Sequence, residues 1–177
     1  MNDGINTVLV LGATGGIGGE VTRQLRDAGW AVRALKRTSN DEQFDDGVTW
    51  LHGDAMNRAD VMRAAEGCAV IVHAVNPPGY RDWEKLVLPM IDNTIAAAAL
   101  AGATIVLPGT VYNFGPDAFP LLREDSPQNP ITRKGMIRVQ LEQRLETASR
   151  QGVRAIIVRA GDFLAPGPAT TGLRKAW

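Results

Sequence analysis

Short apolar runs alternate with amphipathic segments along most of the chain. Six runs of apolar or β-branched residues have the length of buried strands: residues 7–11, 31–35, 48–51, 69–75, 104–107 and 153–159. Between them, apolar positions recur every three or four residues, which predicts helices that bury one face. Strands alternating with helices indicate a parallel sheet covered by helices. We therefore expect an α/β fold, a doubly wound parallel sheet of about six strands in the order 3-2-1-4-5-6.

The first predicted strand runs directly into a glycine-rich turn. Gly12, Gly15 and Gly18 are spaced three residues apart, and a helical pattern begins within this spacing. A helix N-terminus presents unpaired backbone N–H groups and about half a positive charge, so it attracts a phosphate. Glycines leave room for the phosphate because they carry no Cβ atom. We interpret the turn as a phosphate site, with a purely structural glycine turn as the alternative.

Composition and charge restrict the classes of partner. The chain has 177 residues, enough for one domain over 1–177 with a substantial core. Lys plus Arg and Asp plus Glu both number 19, so no basic field would attract nucleic acid or an anionic membrane surface. No apolar run reaches the roughly 18 residues of a membrane-spanning helix, and the polar N-terminus lacks a signal-peptide pattern. We expect a cytoplasmic protein with neither partner, and a buried structural thiol at Cys68.

The segment GATGGIG after a buried strand resembles the nucleotide-binding turn of the short-chain dehydrogenase/reductase superfamily. The resemblance is to its extended branch, the NAD(P)-dependent epimerase/dehydratase family with its atypical, NmrA-like relatives, and it covers nearly the whole chain. It implies a Rossmann domain that binds a dinucleotide. The residues implied at the turn are Gly12, Thr14, Gly15, Gly16, Ile17 and Gly18. The nicotinamide half would pass the end of the fourth strand at Ala74, Val75 and Asn76.

The second predicted strand ends in cations and has no carboxylate there. In this fold an acidic residue at that position binds the ribose hydroxyls of NAD, whereas an Arg accommodates the 2′-phosphate of NADP. Lys36 and Arg37 therefore predict NADP(H) in preference to NAD(H); the alternative is a solvated strand end. By resemblance Asp54, after the third strand, contacts the adenine, and its alternative is a polar turn.

Two histidines are possible sources of site chemistry. His73 lies at the end of the fourth strand and has an ordinary pKa near neutrality, about 6.5. No base or substrate group is paired with it in the sequence, so a hydrogen-bonded core histidine is preferred over a proton-transfer group. His52 has no metal-ligand spacing around it, and we expect no metal site.

The family's catalytic pattern fails in the predicted helix over 134–149. Family enzymes carry a Tyr, a Lys four residues later and an acidic residue four further along. With Glu142 as the acidic residue, Arg138 falls at the Lys position and Lys134 at the Tyr position. The family's proton donor is therefore missing. Lys134 could replace it if burial or a neighbouring cation lowered its pKa, and Arg138 could bind a ribose.

The loop after the fifth strand offers two further substitutes. The family places a catalytic Ser or Thr three positions before the Val of a Val-Tyr-Gly segment, and in this chain Pro108 stands there. Thr110 and Tyr112 lie nearby and could supply a hydroxyl group.

The expected function is an NADP(H)-binding, epimerase/dehydratase-like oxidoreductase with an atypical active site and an unknown small-molecule substrate. Two alternatives remain: a non-catalytic NADP(H)-binding sensor or regulatory protein, and a truncated inactive remnant. The latter arises because the family's C-terminal substrate domain is largely absent from a chain ending at Trp177. By family resemblance, the alanine-rich helix over 82–101 would pack in a homodimer.

Overall fold

The computed structural model describes residues 6–38, 43–77 and 82–161. Its strands and helices are β1 (Thr7–Leu11), α1 (Gly16–Asp27), β2 (Ala31–Lys36), β3 (Gln43–Asp45), β4 (Val48–His52), α2 (Arg58–Ala65), β5 (Val70–His73), α3 (Trp83–Ala101), β6 (Thr104–Thr110), α4 (Arg133–Arg150) and β7 (Ala155–Ala160). Two short 3₁₀ turns, Val111–Asn113 and Pro116–Ala118, lie between β6 and α4. The α/β class is confirmed.

The described strands form one seven-stranded sheet in the order β3-β4-β2-β1-β5-β6-β7. The six strands from β4 to β7 pair in parallel, and their order is the expected 3-2-1-4-5-6. The seventh strand, β3, pairs antiparallel with β4 at the sheet edge and was not predicted. It has only three residues, all exposed, so it lacks the alternation of buried and polar positions that indicates a strand.

Apolar side chains cover both faces of the sheet, as parallel strands require. Residues Val8–Leu11 of β1 are at most 1% exposed, and they alternate between the two faces. Val8 and Val10 belong to the cluster beneath α1, whereas Leu9 and Leu11 belong to the cluster beneath α2, α3 and α4. Among the described elements, one helix thus covers one face of the sheet and three helices cover the other.

Local sequence explains where the helices begin and end. Asn57 accepts hydrogen bonds from the backbone N–H groups of Ala59 and Asp60 and is therefore the N-cap of α2. Gly102 ends α3 in the left-handed conformation, with φ +66°, as expected of a helix-terminating glycine. The apolar face of α4 is buried, at Ile137, Leu141, Leu145 and Ala148.

Strand β6 is three residues longer than predicted. The sequence indicated an end at Leu107, before Pro108 and Gly109, but the strand continues to Thr110. Its pairing with β5 stops at Val106, while its pairing with β7 continues to Thr110. A proline is tolerated in this stretch because it lies beyond the part of β6 that has strands on both sides. Thr110 and the loop after it are therefore anchored to β7.

Within the described ranges, no helix is long and apolar enough to cross a membrane. Cys68 is buried, as predicted, and burial raises the pKa of its thiol.

Candidate dinucleotide site

The glycine turn packs so closely that two of its glycines have no space for a side chain. Gly12 has φ +86°, and a Cβ atom there would lie 2.6 Å from the carbonyl oxygen of Ala74 and 2.7 Å from the Cα atom of Val75. A Cβ atom on Gly18 would lie 2.1 Å from the carbonyl oxygen of Gly12. The turn therefore rests directly on the end of β5, and α1 rests on the turn.

The N-terminus of α1 is open. Its N-cap is Gly15, which provides no side-chain hydrogen bond, and the first turn contains no acidic residue. Thr14, Gly15 and Gly16 are exposed, while Ile17 is half-buried. A Cβ atom on Gly15 would meet only the carbonyl oxygen of Gly12, at 3.3 Å. The first N–H groups of the helix thus face solvent without a side-chain acceptor, an arrangement suited to a phosphate group.

The two cations after β2 lie in different surroundings. Lys36 donates a hydrogen bond to the Gln43 side chain at 3.0 Å, and its ammonium group is 5.0 Å from the ring centroid of Trp50. Lys36 is therefore held along the β2–β4–β3 edge. Arg37 is exposed, and within the described part of the chain it forms no ion pair. Of the two cations, Arg37 is the more exposed.

Asp54 takes part in a polar turn. One of its carboxylate oxygens accepts the backbone N–H of Met56 at 2.9 Å, and its own N–H donates to Asp60 at 3.1 Å. That backbone hydrogen bond lowers the pKa of Asp60, with a further contribution from Arg63. The turn uses one oxygen of Asp54, and within the described ranges the other accepts no hydrogen bond.

His73 is a buried histidine in a fixed tautomer. Its Nδ1 atom lies 2.8 Å from Oγ1 of Thr94, and that hydroxyl donates its single proton to the carbonyl of Met90 at 3.1 Å. The hydroxyl must therefore accept from His73, so the proton resides on Nδ1. Burial and the nearby charge of Arg138 lower the pKa of His73 to about 3. The imidazole is neutral at neutral pH, which favours the core-histidine interpretation.

The predicted catalytic cations meet over one aromatic ring. The guanidinium of Arg138 lies 5.0 Å from the ring centroid of Trp83, and the ammonium of Lys134 lies 6.0 Å from it. Trp83 opens α3 and is buried, whereas Lys134 is exposed to solvent. The structure therefore brings Lys134 and Arg138 together beside the end of β5. Of the two conditions considered for Lys134 as a proton donor, burial is absent, and Arg138 is the cation beside it.

The other two candidate residues lie in the loop after β6. The Thr110 hydroxyl accepts the N–H of Tyr112 at 3.4 Å and so caps a 3₁₀ turn. The Tyr112 side chain is 46% exposed. A Cβ atom on Gly135 would lie 2.3 Å from the carbonyl oxygen of Tyr112, so the loop contacts the first turn of α4 directly. The pair Lys134 and Arg138 and the pair Thr110 and Tyr112 thus lie near the carboxyl ends of neighbouring strands, β5 and β6.

A partly buried ion pair beside this loop was not predicted from the sequence. The two terminal guanidinium nitrogens of Arg159, Nη1 and Nη2, donate to the two carboxylate oxygens of Glu142 at 2.8 and 2.7 Å. Arg159 also lines a cavity of about 710 Å³ with Phe114, Leu122, Arg123, Glu124 and Asp125. The sequence signal was available: Glu142 follows Leu141 on the apolar face of α4, and Arg159 ends a strand.

A strand, a tight glycine turn and an open helix N-terminus at the centre of a parallel sheet define a dinucleotide-binding Rossmann domain. The family model described as NAD(P)H-binding matches residues 12–174. The chain therefore belongs to the NAD(P)H-binding family, and the expected likeness of its fold to epimerase structures is confirmed.

The chain spans about half the length of the similar proteins described here. A putative dihydroflavonol 4-reductase from Synechocystis is 27% identical over 180 residues, which cover 92% of this chain and 52% of that protein. A putative epimerase from Burkholderia cenocepacia has a TM-score of 0.77 at 17% identity, covering 93% of this chain and 56% of its own. The Bordetella bronchiseptica enzyme WbmG, solved with NAD, has a TM-score of 0.74 at 18% identity, and the match covers 89% of this chain and 54% of that chain. The two solved structures share the fold of this chain.

Proposed function

We propose that this chain binds NADP(H) in preference to NAD(H) and is an epimerase/dehydratase-like oxidoreductase with an atypical set of acid–base groups. The observation that carries the proposal is the open N-terminus of α1, framed by glycines whose missing Cβ atoms the turn requires. A pyrophosphate fits there because backbone N–H groups and the helix dipole both favour an anion.

The proposed site extends to both sides of that turn. Gly15, Gly16 and Ile17 lie where backbone N–H groups would hold the pyrophosphate. Asp54 would contact the adenine with its remaining carboxylate oxygen, and Arg37 would pair with the 2′-phosphate. The nicotinamide half would pass Ala74, Val75 and Asn76, which directly follow β5. The short contacts of Gly12 with Ala74 and Val75 support this placement, since they join the turn to that strand end.

The nicotinamide would supply hydride transfer, and the chain would have to supply or withdraw a proton at the substrate oxygen. Arg138 would orient a ribose or substrate oxygen, because a guanidinium donates several hydrogen bonds but does not exchange its proton at neutral pH. Lys134 and Tyr112 are the proposed proton donors, and Thr110 a supporting hydroxyl. Lys134 and Tyr112 are solvent-exposed, so a bound substrate would have to cover them before either acted in a water-excluded site.

The cofactor preference is tested by replacing Arg37 with Asp. We expect the ratio of NADPH to NADH affinity to reverse, because the substitution removes the phosphate-pairing cation and introduces a ribose-binding carboxylate. Lys36→Gln is the matched control: it removes a neighbouring charge that the structure places on Gln43 and Trp50. The ratio of NADPH to NADH affinity in Lys36→Gln should stay within about threefold of the wild-type ratio. An unchanged ratio in Arg37→Asp would contradict the assignment.

A non-catalytic NADP(H) sensor is the second candidate. It is favoured by the exposed Lys134 at the position of the family Tyr and by the stacking of Arg138 on Trp83. NADPH oxidation in the presence of a panel of carbonyl compounds separates the two functions. Turnover that Lys134→Ala abolishes would support the enzyme, whereas tight binding without turnover would support the sensor. A folded protein that binds neither dinucleotide would be the inactive remnant.

A further inference from the structure

Five side chains from four parts of the chain form a closed ring of hydrogen bonds, here called the polar ring. Arg159 of β7 donates to both carboxylate oxygens of Glu142 on α4, and Gln128 donates to Glu142 at 2.9 Å. Asn113 donates to Gln128 at 3.0 Å, and the Thr110 hydroxyl donates to Asn113 at 3.4 Å. The ring closes where Arg159 donates to the carbonyl oxygen of Thr110 at 2.8 Å.

The members of the polar ring are buried or half-buried. The Glu142 side chain is 7% exposed, the Arg159 side chain is 25% exposed, and Asn113 is fully buried. The guanidinium of Arg159 also lies 4.9 Å from the ring centroid of Phe114. Buried polar groups depend strongly on their partners, because water cannot replace a lost hydrogen bond. The ring should therefore form and break as a unit.

The polar ring links the two groups of proposed catalytic residues. Glu142 follows Arg138 by one helical turn and Lys134 by two, so it anchors the helix that carries both cations. On the other side, Thr110 and Asn113 enclose the short turn that contains Tyr112. The helix and the loop consequently meet at two places, the polar ring and the close contact at Gly135.

We propose that Glu142 and Arg159 are positioning residues, which hold the Tyr112 loop against α4 so that Tyr112 and Arg138 face the nicotinamide half of the site together. The role of Tyr112 and Arg138 rests on the proposed function, whereas the mechanical coupling of loop and helix does not. The glycine turn follows β1, near the middle of the sheet, and is separated by β5 from the strands that carry the ring. Loss of the ring should therefore affect the nicotinamide half of the site and leave phosphate binding intact.

The double variant Glu142→Gln/Arg159→Gln tests this, because it removes both charges and leaves neither buried without its counterion. Arg144→Gln is the matched control on the same helix; it breaks the exposed ion pair with Asp92. Amide hydrogen exchange requires no cofactor. In the double variant we expect exchange at least about tenfold faster in residues 110–113 and 133–138, with residues 16–27 unchanged. The control Arg144→Gln should show wild-type exchange rates in all three segments.

The second measurement is the fluorescence emission of bound NADPH, which reports on the surroundings of the nicotinamide. We expect the double variant to keep its NADPH Kd within about threefold of wild type while the emission shifts toward that of free NADPH. Wild-type exchange rates in the loop and helix would overturn the coupling, and a wild-type emission spectrum in the double variant would overturn the positioning role. If wild type binds no NADPH, the proposed function fails, and hydrogen exchange still decides whether the ring couples loop and helix.

Discussion

Replacing Gly12 and Gly15 separately by Ala distinguishes the architecture of the turn from its role in binding. Gly12 has φ +86°, and a Cβ atom there would overlap the backbone of Ala74 and Val75 at 2.6–2.7 Å. Backbone atoms cannot move aside as a flexible side chain can. Gly15 has ordinary extended backbone, φ −88° and ψ 170°, and its Cβ atom would meet one oxygen at 3.3 Å.

The expected costs differ accordingly. Overpacking costs about 1–3 kcal/mol, and an unfavourable positive φ adds roughly 1–2 kcal/mol, so Gly12→Ala should destabilise the fold by roughly 2–5 kcal/mol. At about 2–4 °C per kcal/mol for a chain of this size, the melting temperature should fall by at least about 4 °C. Gly15→Ala should cost less than about 1 kcal/mol. Its methyl group would, however, stand where a phosphate approaches the helix.

Thermal unfolding and NADPH titration of both variants test this reasoning. We expect Gly12→Ala to lower the melting temperature, and Gly15→Ala to keep it within about 3 °C while weakening NADPH binding at least about tenfold. A Gly12→Ala variant as stable as wild type would refute the packing argument. A Gly15→Ala variant with unchanged NADPH affinity would place the phosphate elsewhere.

Two further predictions concern stability. Folding lowers the pKa of His73 from 6.5 to about 3. Between these pH values the unfolded state binds one more proton than the folded state, so the free energy of unfolding decreases as the pH falls. From pH 6.5 to 5, His73→Asn should remove roughly 1.5 kcal/mol of this loss. Equal pH slopes of the wild-type and His73→Asn proteins in urea unfolding would contradict the buried neutral histidine. Asn57→Ala should lower the free energy of unfolding by about 1 kcal/mol, because the backbone N–H groups of Ala59 and Asp60 lose their side-chain acceptor at the start of α2. An unchanged urea midpoint would show that this cap contributes little to stability.

The apolar pattern predicted most of the fold because a parallel strand buried on both faces must be apolar throughout. Residues 7–11 are such a strand, and the glycines that follow could only be a turn leading into a helix. The three-residue strand β3 could not be found in this way, since its exposed side chains are recruited by pairing with β4. The extension of β6 through Pro108 likewise depends on β7, which is distant in sequence.

The site was predictable only where local sequence determines it. The turn from Gly12 to Gly18 is local, and its geometry follows from its residues. By contrast, Lys36 and Arg37 are adjacent and look equivalent in the sequence, and only the position of Gln43 and Trp50 separates them. The polar ring joins residues from Thr110 to Arg159 and has no local pattern beyond a charged Glu142 on an apolar helix face.

Calorimetric titration of the wild-type protein with NADPH, and separately with NADH, tests the central claim most directly. We expect micromolar binding of NADPH, about 8 kcal/mol, and clearly weaker binding of NADH. That result would show that the open N-terminus of α1 and Arg37 form a working site. Binding of neither dinucleotide, by a protein whose circular dichroism shows it to be folded, would contradict the account and leave the glycine turn as architecture alone.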